Sequence, residues 1–423
     1  MRAQRLFPGQ GPMQEGAMLL FDAFQPSQAR RRDGAPRGRY DTVLLLAIVA
    51  LACFGIVMVA SASIAVADGR HFGAFYYLKR HLLFLALGAV LAGIAMRVEL
   101  KFVEKFSMPL MLAGIALMLM VFVPGLGMRI NGARRWIDLG VTGFQPVEAV
   151  KLILIVYLAS YLVRHRQAVE RKLFGTVNPL VVAGLLVICL LLQPDFGSSA
   201  LIIAVTVGMV WFGGARMRYL FGMAAVATPL LAAAALSENY RVRRLMTFLD
   251  PWKDPYKDGF QLTQALIAIG RGEWAGVGLG ESVQKLFYLP EAHTDFILAV
   301  IGEELGLFGI VLVLGLFAVL VGRGLMLGLR GVELGQHFAG YVAFGISLMI
   351  GLQALVSAGV NLGVLPTKGL TLPLISSGGS SVMMTCAMLG VLLRAGYEIH
   401  RAEDARRMAV RSEQSQRVQE VDA

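Results

Sequence analysis

The sequence predicts an all-α polytopic membrane protein with about ten transmembrane helices and a large extracytoplasmic loop between spans 7 and 8. Hydrophobic residues make up 57% of the 423 residues and charged residues only 16%, whereas charged residues are about 25% of a typical soluble domain. Apolar stretches of about 20 residues, the length that crosses a bilayer as a helix, recur along the chain. Segments of about ten residues with alternating hydrophobicity, which are typical of a membrane β-barrel, do not occur.

Ten apolar stretches are predicted to span the membrane. They cover residues 43–66, 82–96, 107–124, 147–163, 178–193, 199–213, 217–236, 297–322, 338–360 and 382–400. The first stretch is too long for the core of a signal peptide and has no obvious cleavage site, so it is expected to remain as an anchor.

The distribution of lysine and arginine predicts that both termini are cytoplasmic. With that orientation, 24 of the 39 basic residues lie on cytoplasmic segments and 7 on short outer loops, as the positive-inside rule requires. The net charge of +11 reflects this bias and does not indicate nucleic-acid binding. The chain is therefore predicted to cross a membrane several times, with both ends in the cytoplasm.

The chain divides into a transmembrane domain and two tails. Residues 1–40 are predicted to form a flexible, basic cytoplasmic tail, and Met18 remains open as an alternative start. Residues 41–400 form the transmembrane domain, which includes the extracytoplasmic loop 237–296. Residues 401–423 are charged and are predicted to form a second cytoplasmic tail.

The first informative outer segment covers residues 127–151. Asn131-Gly132 is typical of a tight turn, and Arg134 and Arg135 follow it. Glu148 and Lys151 are spaced i,i+3, on one face of the helix that begins there. They form either a structural ion pair or a group that positions lipid phosphate, and the two interpretations are compatible.

The second outer segment, Gln193 to Gly197, joins spans 5 and 6. Proline and glycine interrupt the helices there. Asp195 fits the N-cap of the next helix; the alternative is a second acid or a metal ligand near the active cleft.

The third outer segment is the long loop 237–296. Its basic cluster, which includes Arg243 and Arg244, is expected to bind lipid headgroups or, more specifically, the pyrophosphate of a lipid-linked substrate. Residues 261–269 have a helical pattern, and a glycine-rich run follows at 270–280. Glycine there lets the backbone approach a bulky ligand or a neighbouring helix.

That glycine-rich run is not a nucleotide-binding motif. It lacks the spacing GxGxxG and follows no strand, and the chain contains no Walker A sequence. ATP-dependent and NAD-dependent chemistry are therefore not expected.

The loop ends in a titratable cluster at the edge of an apolar span. His293, Thr294 and Asp295 directly precede span 8, and Glu303 and Glu304 follow within it. Ionisable residues at the membrane boundary are functional-site candidates because their burial is costly. The two glutamates are expected to face protein or water rather than lipid.

The fourth outer segment runs from Asn361 to Ser381. It contains Thr367, Lys368 and Ser380 among many small residues, and irregular backbone at membrane depth must be buried in protein or line a wet cavity. Upstream, polar residues recur every fourth position at 353, 357 and 361, a stripe that is expected to face the bundle interior and to form hydrogen bonds between helices.

Six motifs in this order resemble the SEDS family (shape, elongation, division and sporulation), in particular its FtsW-type division branch. The resemblance covers about residues 40–400. The motifs are Asn131-Gly-Ala-Arg-Arg-Trp-Ile, Gln145-Pro-Val-Glu148, Gln193-Pro-Asp-Phe-Gly, Phe248-Leu-Asp-Pro-Trp, the run from Ser282 to Phe296, and Leu365-Pro-Thr-Lys-Gly-Leu-Thr-Leu-Pro.

This resemblance implies a peptidoglycan glycosyltransferase that polymerises lipid II outside the cytoplasmic membrane, at the division septum. The family's essential aspartate matches Asp295. The family's partner is a class B penicillin-binding protein, a transpeptidase, and other divisome membrane proteins are expected to regulate the activity.

The chemistry needs only one positioned base. Lipid II carries an α-linked diphosphate and the glycan is β-linked, so one in-line displacement with inversion is sufficient, and Asp295 is the predicted general base. The diphosphate leaving group needs positive charge, which Arg243, Arg244, Lys368 or a divalent cation (Mg or Mn) would supply. No residue is assigned as a metal ligand, and no other cofactor is expected.

The remaining candidates have supporting roles near this base. The predicted substrate-binding residues are Arg243, Arg244, His293, Thr294, Thr367 and Lys368. The predicted supporting residues are Arg134, Arg135, Glu148, Lys151, Asp195 and Ser380.

Two other functions remain open. A lipid II flippase also fits ten spans with interior polar residues, although a carrier places its binding groups near the bilayer midplane and often shows repeat symmetry. A non-catalytic divisome scaffold, which only recruits the transpeptidase, would tolerate substitution of the polar loop residues.

Overall fold

A computed structural model describes most of the chain. The described residues are 38–69, 73–130, 133–138, 140, 143–236, 247–257, 259–286, 288–367 and 369–421. Residues Gly38–Glu403 form one compact unit.

Helices dominate the first half of the described chain. They are α1 (Thr42–Gly69), α2 (Tyr76–Arg97), α3 (Leu100–Lys105), α4 (Ser107–Met120), α5 (Pro146–Arg164), α6 (Arg166–Arg171), α7 (Leu173–Leu192), α8 (Phe196–Phe212) and α9 (Met217–Leu236). Pro146 occupies the first turn of α5, where its missing N–H costs no hydrogen bond.

The second half contains the loop helix and the last three long helices. A short 3-10 turn (Pro251–Lys253) precedes α10 (Phe260–Gly272), α11 (Ile297–Glu333), α12 (His337–Asn361) and α13 (Gly379–Val421). Helix α10 confirms the helical pattern predicted within the long loop.

The predicted all-α membrane fold is confirmed, and each of the ten predicted spans lies largely or wholly within a helix. Within the described ranges, seven helices are long and apolar enough to cross a membrane, while α4 and α8 are shorter apolar helices of 14 and 17 residues. The chain is a multi-pass membrane protein; the number ten remains a prediction.

A three-stranded antiparallel sheet, which the sequence did not predict, precedes α5. It consists of β1 (Gly127–Ile130), β2 (Ala133–Asp138) and β3 (Gly143–Phe144), in the order β1-β2-β3. Its strands have four, six and two residues, too few for a clear alternating pattern. The predicted turn Asn131-Gly132 lies outside the described residues, but Ile130 and Ala133 on either side of it are paired.

Helix α11 is broken near its start. Gly306 has φ 64° and ψ −160°, a conformation in which glycine meets no steric penalty. The break leaves backbone groups without helical partners, and the loop segment after α10 satisfies them. The N–H groups of Leu307 and Phe308 donate to the carbonyls of Glu273 and Trp274, at 2.9 and 3.2 Å.

The same loop segment also bonds to the other side of the break. The N–H groups of Val277 and Gly278 donate to the carbonyls of Glu303 and Glu304, at 3.0 and 3.1 Å. This close approach needs glycine, since a Cβ on Gly276 would lie 2.1 Å from the Glu304 carbonyl oxygen. The glycine-rich run therefore brings backbone against a neighbouring helix, one of the two roles predicted for it.

Helices α11 and α12 pack along each other through small residues. Gly328 and Gly331 of α11 lie against Gly340 of α12, where an added Cβ would meet backbone atoms at about 2.8–3.1 Å. Small residues at such a crossing let the two backbones approach closely. The pair carries the Asp295 loop at the start of α11 and the 361–378 segment at the end of α12.

Candidate functional site

The peptide groups around Asp295 are held by three hydrogen bonds from elsewhere in the chain. The carbonyls of residues 293, 294 and 295 each accept one bond. The donors are the Ser377 N–H at 2.9 Å, the Ser376 hydroxyl at 2.6 Å and the Asn361 side-chain amide at 2.9 Å, respectively. These bonds join the third and fourth polar segments of the sequence at one place.

The Asp295 side chain is half-buried, and it lies against the 365–373 segment. A Cβ placed on Gly369 would lie 3.0 Å from its Oδ2 atom, so glycine leaves room for the carboxylate. Thr367 is also half-buried. Lys368 lies outside the described residues, between these two neighbours in the chain.

A cavity of about 180 Å³ lies next to the Asp295 loop. His293 and Thr294, two of the predicted substrate-binding residues, line it. Within the described part of the chain, none of the lining residues is an aspartate or glutamate. The other lining residues are Tyr77, Arg80, His81, Phe84, Trp136, Gly143, Ser377, Gly378 and Gly379.

Aromatic and basic groups form one wall of this cavity. The rings of His293 and Tyr77 lie 4.7 Å apart, centroid to centroid. The Arg80 guanidinium lies 5.6 Å from the Phe84 ring centroid, within the range of a cation–π contact. Thr294 donates its hydroxyl to the Glu291 carboxylate at 2.7 Å.

The sequence did not predict the α2 part of this wall. Tyr77, Arg80, His81 and Phe84 all belong to α2. The predicted span, residues 82–96, leaves out the first three of them. Ionisable residues inside a membrane helix are functional candidates by default. Arg80 and His81 are two such ionisable residues, so the sequence does contain a feature that indicates this part of the site.

The predicted pair Glu148 and Lys151 forms a buried ion pair. The Lys151 Nζ atom lies 2.8 Å from Oε1 of Glu148, and the lysine side chain is fully buried. Lys151 also donates to Oε1 of Gln353 at 3.1 Å, and Gln353 donates to the Thr371 carbonyl at 2.9 Å. The pair thereby joins α5 to α12 and to the fourth polar segment.

The polar stripe on α12 faces the bundle interior, as predicted. Gln353, Ser357 and Asn361 are all buried. Asn361 bridges two elements, because its amide donates to the Asp295 carbonyl and accepts from the Ala299 N–H at 3.0 Å.

The sheet connects to the other polar segments through Arg135 and Gln145. Arg135 donates from Nε to the Gln193 carbonyl at 2.9 Å and from Nη2 to the Pro194 carbonyl, a favourable position for a cation at the end of α7. The Gln145 N–H donates to the hydroxyl of the predicted supporting residue Ser380 at 3.3 Å. Arg134 is exposed.

Asp195 caps α8. Its Oδ1 accepts from the Ser198 N–H at 3.1 Å, and its Oδ2 accepts from the Ser198 hydroxyl at 2.8 Å. These contacts agree with the N-cap role that the sequence suggests for Asp195.

The predicted lipid-binding residues Arg243 and Arg244 lie outside the described residues.

Glu303 and Glu304 are fully buried in protein, as predicted. Glu304 bonds to the Lys285 ammonium at 2.7 Å and to the Ser61 hydroxyl of α1 at 2.6 Å.

Glu303 is held from the loop as well. It bonds to the Arg271 guanidinium at 3.1 Å and to the Ser282 hydroxyl at 2.5 Å. Both charges are paired, which burial requires, and both hold the loop 271–285 onto α11.

The residues that the structure describes contain no cluster of three or more His, Cys, Asp or Glu side chains that would hold a metal ion. The divalent cation remains a prediction.

The family model described as "Cell cycle protein" (FTSW_RODA_SPOVE) matches residues 42–401. The chain belongs to this family. The match spans the compact unit almost from end to end, so it includes the Asp295 loop, the cavity and the buried Glu148–Lys151 pair.

Relatives of known sequence support the FtsW branch of the family. The chain is 57% identical over 379 residues to a probable peptidoglycan glycosyltransferase FtsW from Xanthomonas oryzae pv. oryzae, covering 90% of this chain and 77% of that protein. It is 47% identical over 363 residues to a protein of the same description from Legionella pneumophila, covering 86% and 92%.

Solved structures share this fold. One, described as "Structural coordination of polymerization and crosslinking by a peptidoglycan synthase complex", matches with a TM-score of 0.69 and 30% identity, over 85% of this chain and 98% of that one. The Thermus thermophilus rod shape determining protein RodA matches with a TM-score of 0.60 and 29% identity, over 84% and 96%.

Proposed function

We propose that this FtsW-family protein is a peptidoglycan glycosyltransferase that polymerises lipid II into glycan strands. The observation that carries the proposal is the position of Asp295. Asp295 is half-buried on a loop held by three carbonyl hydrogen bonds, and the two preceding residues of that loop line a cavity with no acid among its described lining residues. The FtsW relatives carry the same activity in their names.

In this mechanism Asp295 is the general base. The 4-hydroxyl oxygen of the acceptor sugar attacks the anomeric carbon of the donor as its proton passes to the carboxylate. The bond between that carbon and the diphosphate breaks, and undecaprenyl diphosphate leaves with the electron pair. One displacement inverts the configuration, and a positioned base of this kind typically contributes about 10²–10⁴-fold.

Positive charge near the leaving diphosphate is the second requirement of the reaction. Lys368, next in the chain to the glycine that contacts Asp295, is proposed to supply it together with Arg243, Arg244 or a divalent cation. Glu148 and Lys151 support the site by fixing the segment around Thr371 through Gln353.

The proposal includes the surroundings of the enzyme. The Asp295 loop faces the outer compartment, both termini are cytoplasmic, and the protein concentrates at the division septum. A class B penicillin-binding protein and other divisome membrane proteins are its partners. A structural relative from a peptidoglycan synthase complex that couples polymerisation to crosslinking supports the transpeptidase as partner.

The test is an Asp295→Asn variant in purified complex with the transpeptidase, assayed with labelled lipid II. Asparagine keeps the shape of the side chain but cannot accept the proton, so polymerisation is expected to fall by at least about 10²-fold. Asp254→Asn is the matched control, because it makes the same change at an exposed acid of the same loop.

Near-normal glycan synthesis by Asp295→Asn would contradict the role of Asp295 as general base, provided that the variant elutes with its partner and unfolds at the wild-type temperature. Transbilayer movement of lipid II in vesicles without any polymer, by the wild type, would instead favour the flippase. Normal division with Asp295→Asn in cells would favour the scaffold.

A further inference from the structure

The cavity beside the Asp295 loop contains a buried imidazole with no hydrogen-bond partner. His81 is only 2% exposed, and within the described residues neither of its ring nitrogens has a partner. A buried polar group without partners costs free energy. Such a group in a native protein calls for an explanation, and an ordered water, an ion or a bound ligand supplies one.

The missing partner must both donate and accept. No acid is among the cavity-lining residues that the structure describes, and the Arg80 guanidinium is one of them, so burial favours the neutral imidazole. A neutral imidazole carries one donor nitrogen and one acceptor nitrogen. A sugar hydroxyl or an acetamido group can satisfy both, whereas a diphosphate offers only acceptor oxygens and would leave one nitrogen unpaired.

The size and walls of the cavity fit one sugar ring. Its volume of about 180 Å³ is well above what a single water molecule needs, roughly 10–15 Å³, so it admits a ligand group of several heavy atoms. The rings of Tyr77, Phe84 and Trp136 line it, and rigid aromatic rings offer large apolar surface at little entropic cost. The C–H face of a pyranose would pack on them while its polar edge meets His81.

We propose that this cavity is the subsite for one N-acetylated sugar ring of the lipid-linked substrate, and that His81 positions that ring by hydrogen bonding. The proposal rests on the proposed glycosyltransferase function. His293 and Thr294 line the same cavity and are one or two residues from Asp295, so the cavity lies beside the loop that carries the base. His81 acts by binding and takes no part in proton transfer.

The test compares His81→Leu with wild type in the purified complex, varying the concentration of lipid II. The loss of the two hydrogen bonds is expected to raise KM by about 5- to 100-fold, with a smaller change in kcat. His81→Gln keeps one donor and one acceptor group and is expected to stay within about 3-fold of the wild-type KM.

Stability separates this role from a structural one. Because His81→Leu removes an unpaired buried polar group, its apparent unfolding temperature is expected to equal or exceed that of the wild type. His400→Leu is the matched control. His400 is 6% exposed and its Nδ1 lies 3.2 Å from the Arg39 carbonyl oxygen, so its loss is expected to lower the unfolding temperature and leave KM unchanged.

Inhibition by undecaprenyl diphosphate, which carries no sugar, identifies what the cavity holds. For a sugar subsite, the inhibition constant of His81→Leu matches that of the wild type. A parallel weakening of inhibition and of KM would assign the cavity to diphosphate and overturn the proposal. A wild-type KM in His81→Leu would also overturn it, whereas a wild-type complex that makes no glycan would overturn the proposed function itself.

Discussion

Single side chains buried at membrane depth determine how this site is held. Lys151 is fully buried, and its ammonium has two protein acceptors, Glu148 and Gln353. The second oxygen of Glu148 is buried without a partner among the described residues. An ion pair of this kind is costly to break from one side, because the remaining charge is left buried and unpaired.

Lys151→Met is therefore expected to lower the free energy of unfolding by about 3–5 kcal/mol. The measurement is the shift in the apparent unfolding temperature in detergent. Glu148→Gln/Lys151→Met leaves no charge at the site and is the matched control. Its loss should be smaller than that of the single variant, and an equal loss would contradict the buried-charge argument.

The sequence could predict this pair but not its third member. Glu148 and Lys151 are three residues apart on one helix, so periodicity alone places them together. Gln353 is 202 positions away from Lys151 in the chain, and only the packing of α5 against α12 brings it there. The sequence signals His81 as an ionisable residue of a membrane helix, but its cavity depends on packing, because the lining residues come from α2, the sheet, residues 293–294 and residues 377–379.

At the scale of elements, the break in α11 is the main departure from the sequence prediction. Residues 297–322 are predicted as one span in spite of Glu303 and Glu304, and the sequence contains no proline there to indicate a kink. The break depends on backbone partners supplied by Glu273, Trp274, Val277 and Gly278. Such a contact is tertiary and leaves no local periodicity to detect.

Substitution of Gly306 tests this element. In Gly306→Ala, the positive φ and a Cβ only 2.5 Å from the Gly276 nitrogen are expected to destabilise the fold by at least about 1–2 kcal/mol. Gly315→Ala, on the same helix, is the control: its Cβ would meet nothing within 4 Å, and alanine favours a helix by up to about 1 kcal/mol. The measurement is the thermal unfolding midpoint of the two variants. Similar midpoints would show that the fold does not require the break at Gly306.

At the scale of the whole molecule, the four polar segments that the sequence placed on one side of the membrane do come together. Direct hydrogen bonds link the sheet to the loop after α7, the sheet to α13, and the Asp295 loop to the 361–378 segment. The positive-inside rule and the hydropathy pattern were sufficient to predict this grouping. The distances between the four segments depend on how the helices pack, which the sequence pattern does not give.

The proposed orientation can be checked by cysteine labelling in intact cells. Tyr256 is 86% exposed in the long loop, and Arg171 is exposed at the end of α6. A membrane-impermeant maleimide is expected to label Tyr256→Cys in intact cells and Arg171→Cys only after lysis. The parent chain, with Cys53, Cys189 and Cys386, gives the background. The reverse pattern would invert the topology and place Asp295 in the cytosol.

The three bonds to the carbonyls of residues 293, 294 and 295 have one more consequence. The Ser376 hydroxyl and the Ser377 N–H come from neighbouring residues, and the third donor is the Asn361 amide at the end of α12. Only proline at position 377 removes the main-chain donor, and no single replacement removes both of the others. The placement of the loop is thus fault-tolerant: the loss of one donor leaves two in place, even though the chemistry depends on one residue.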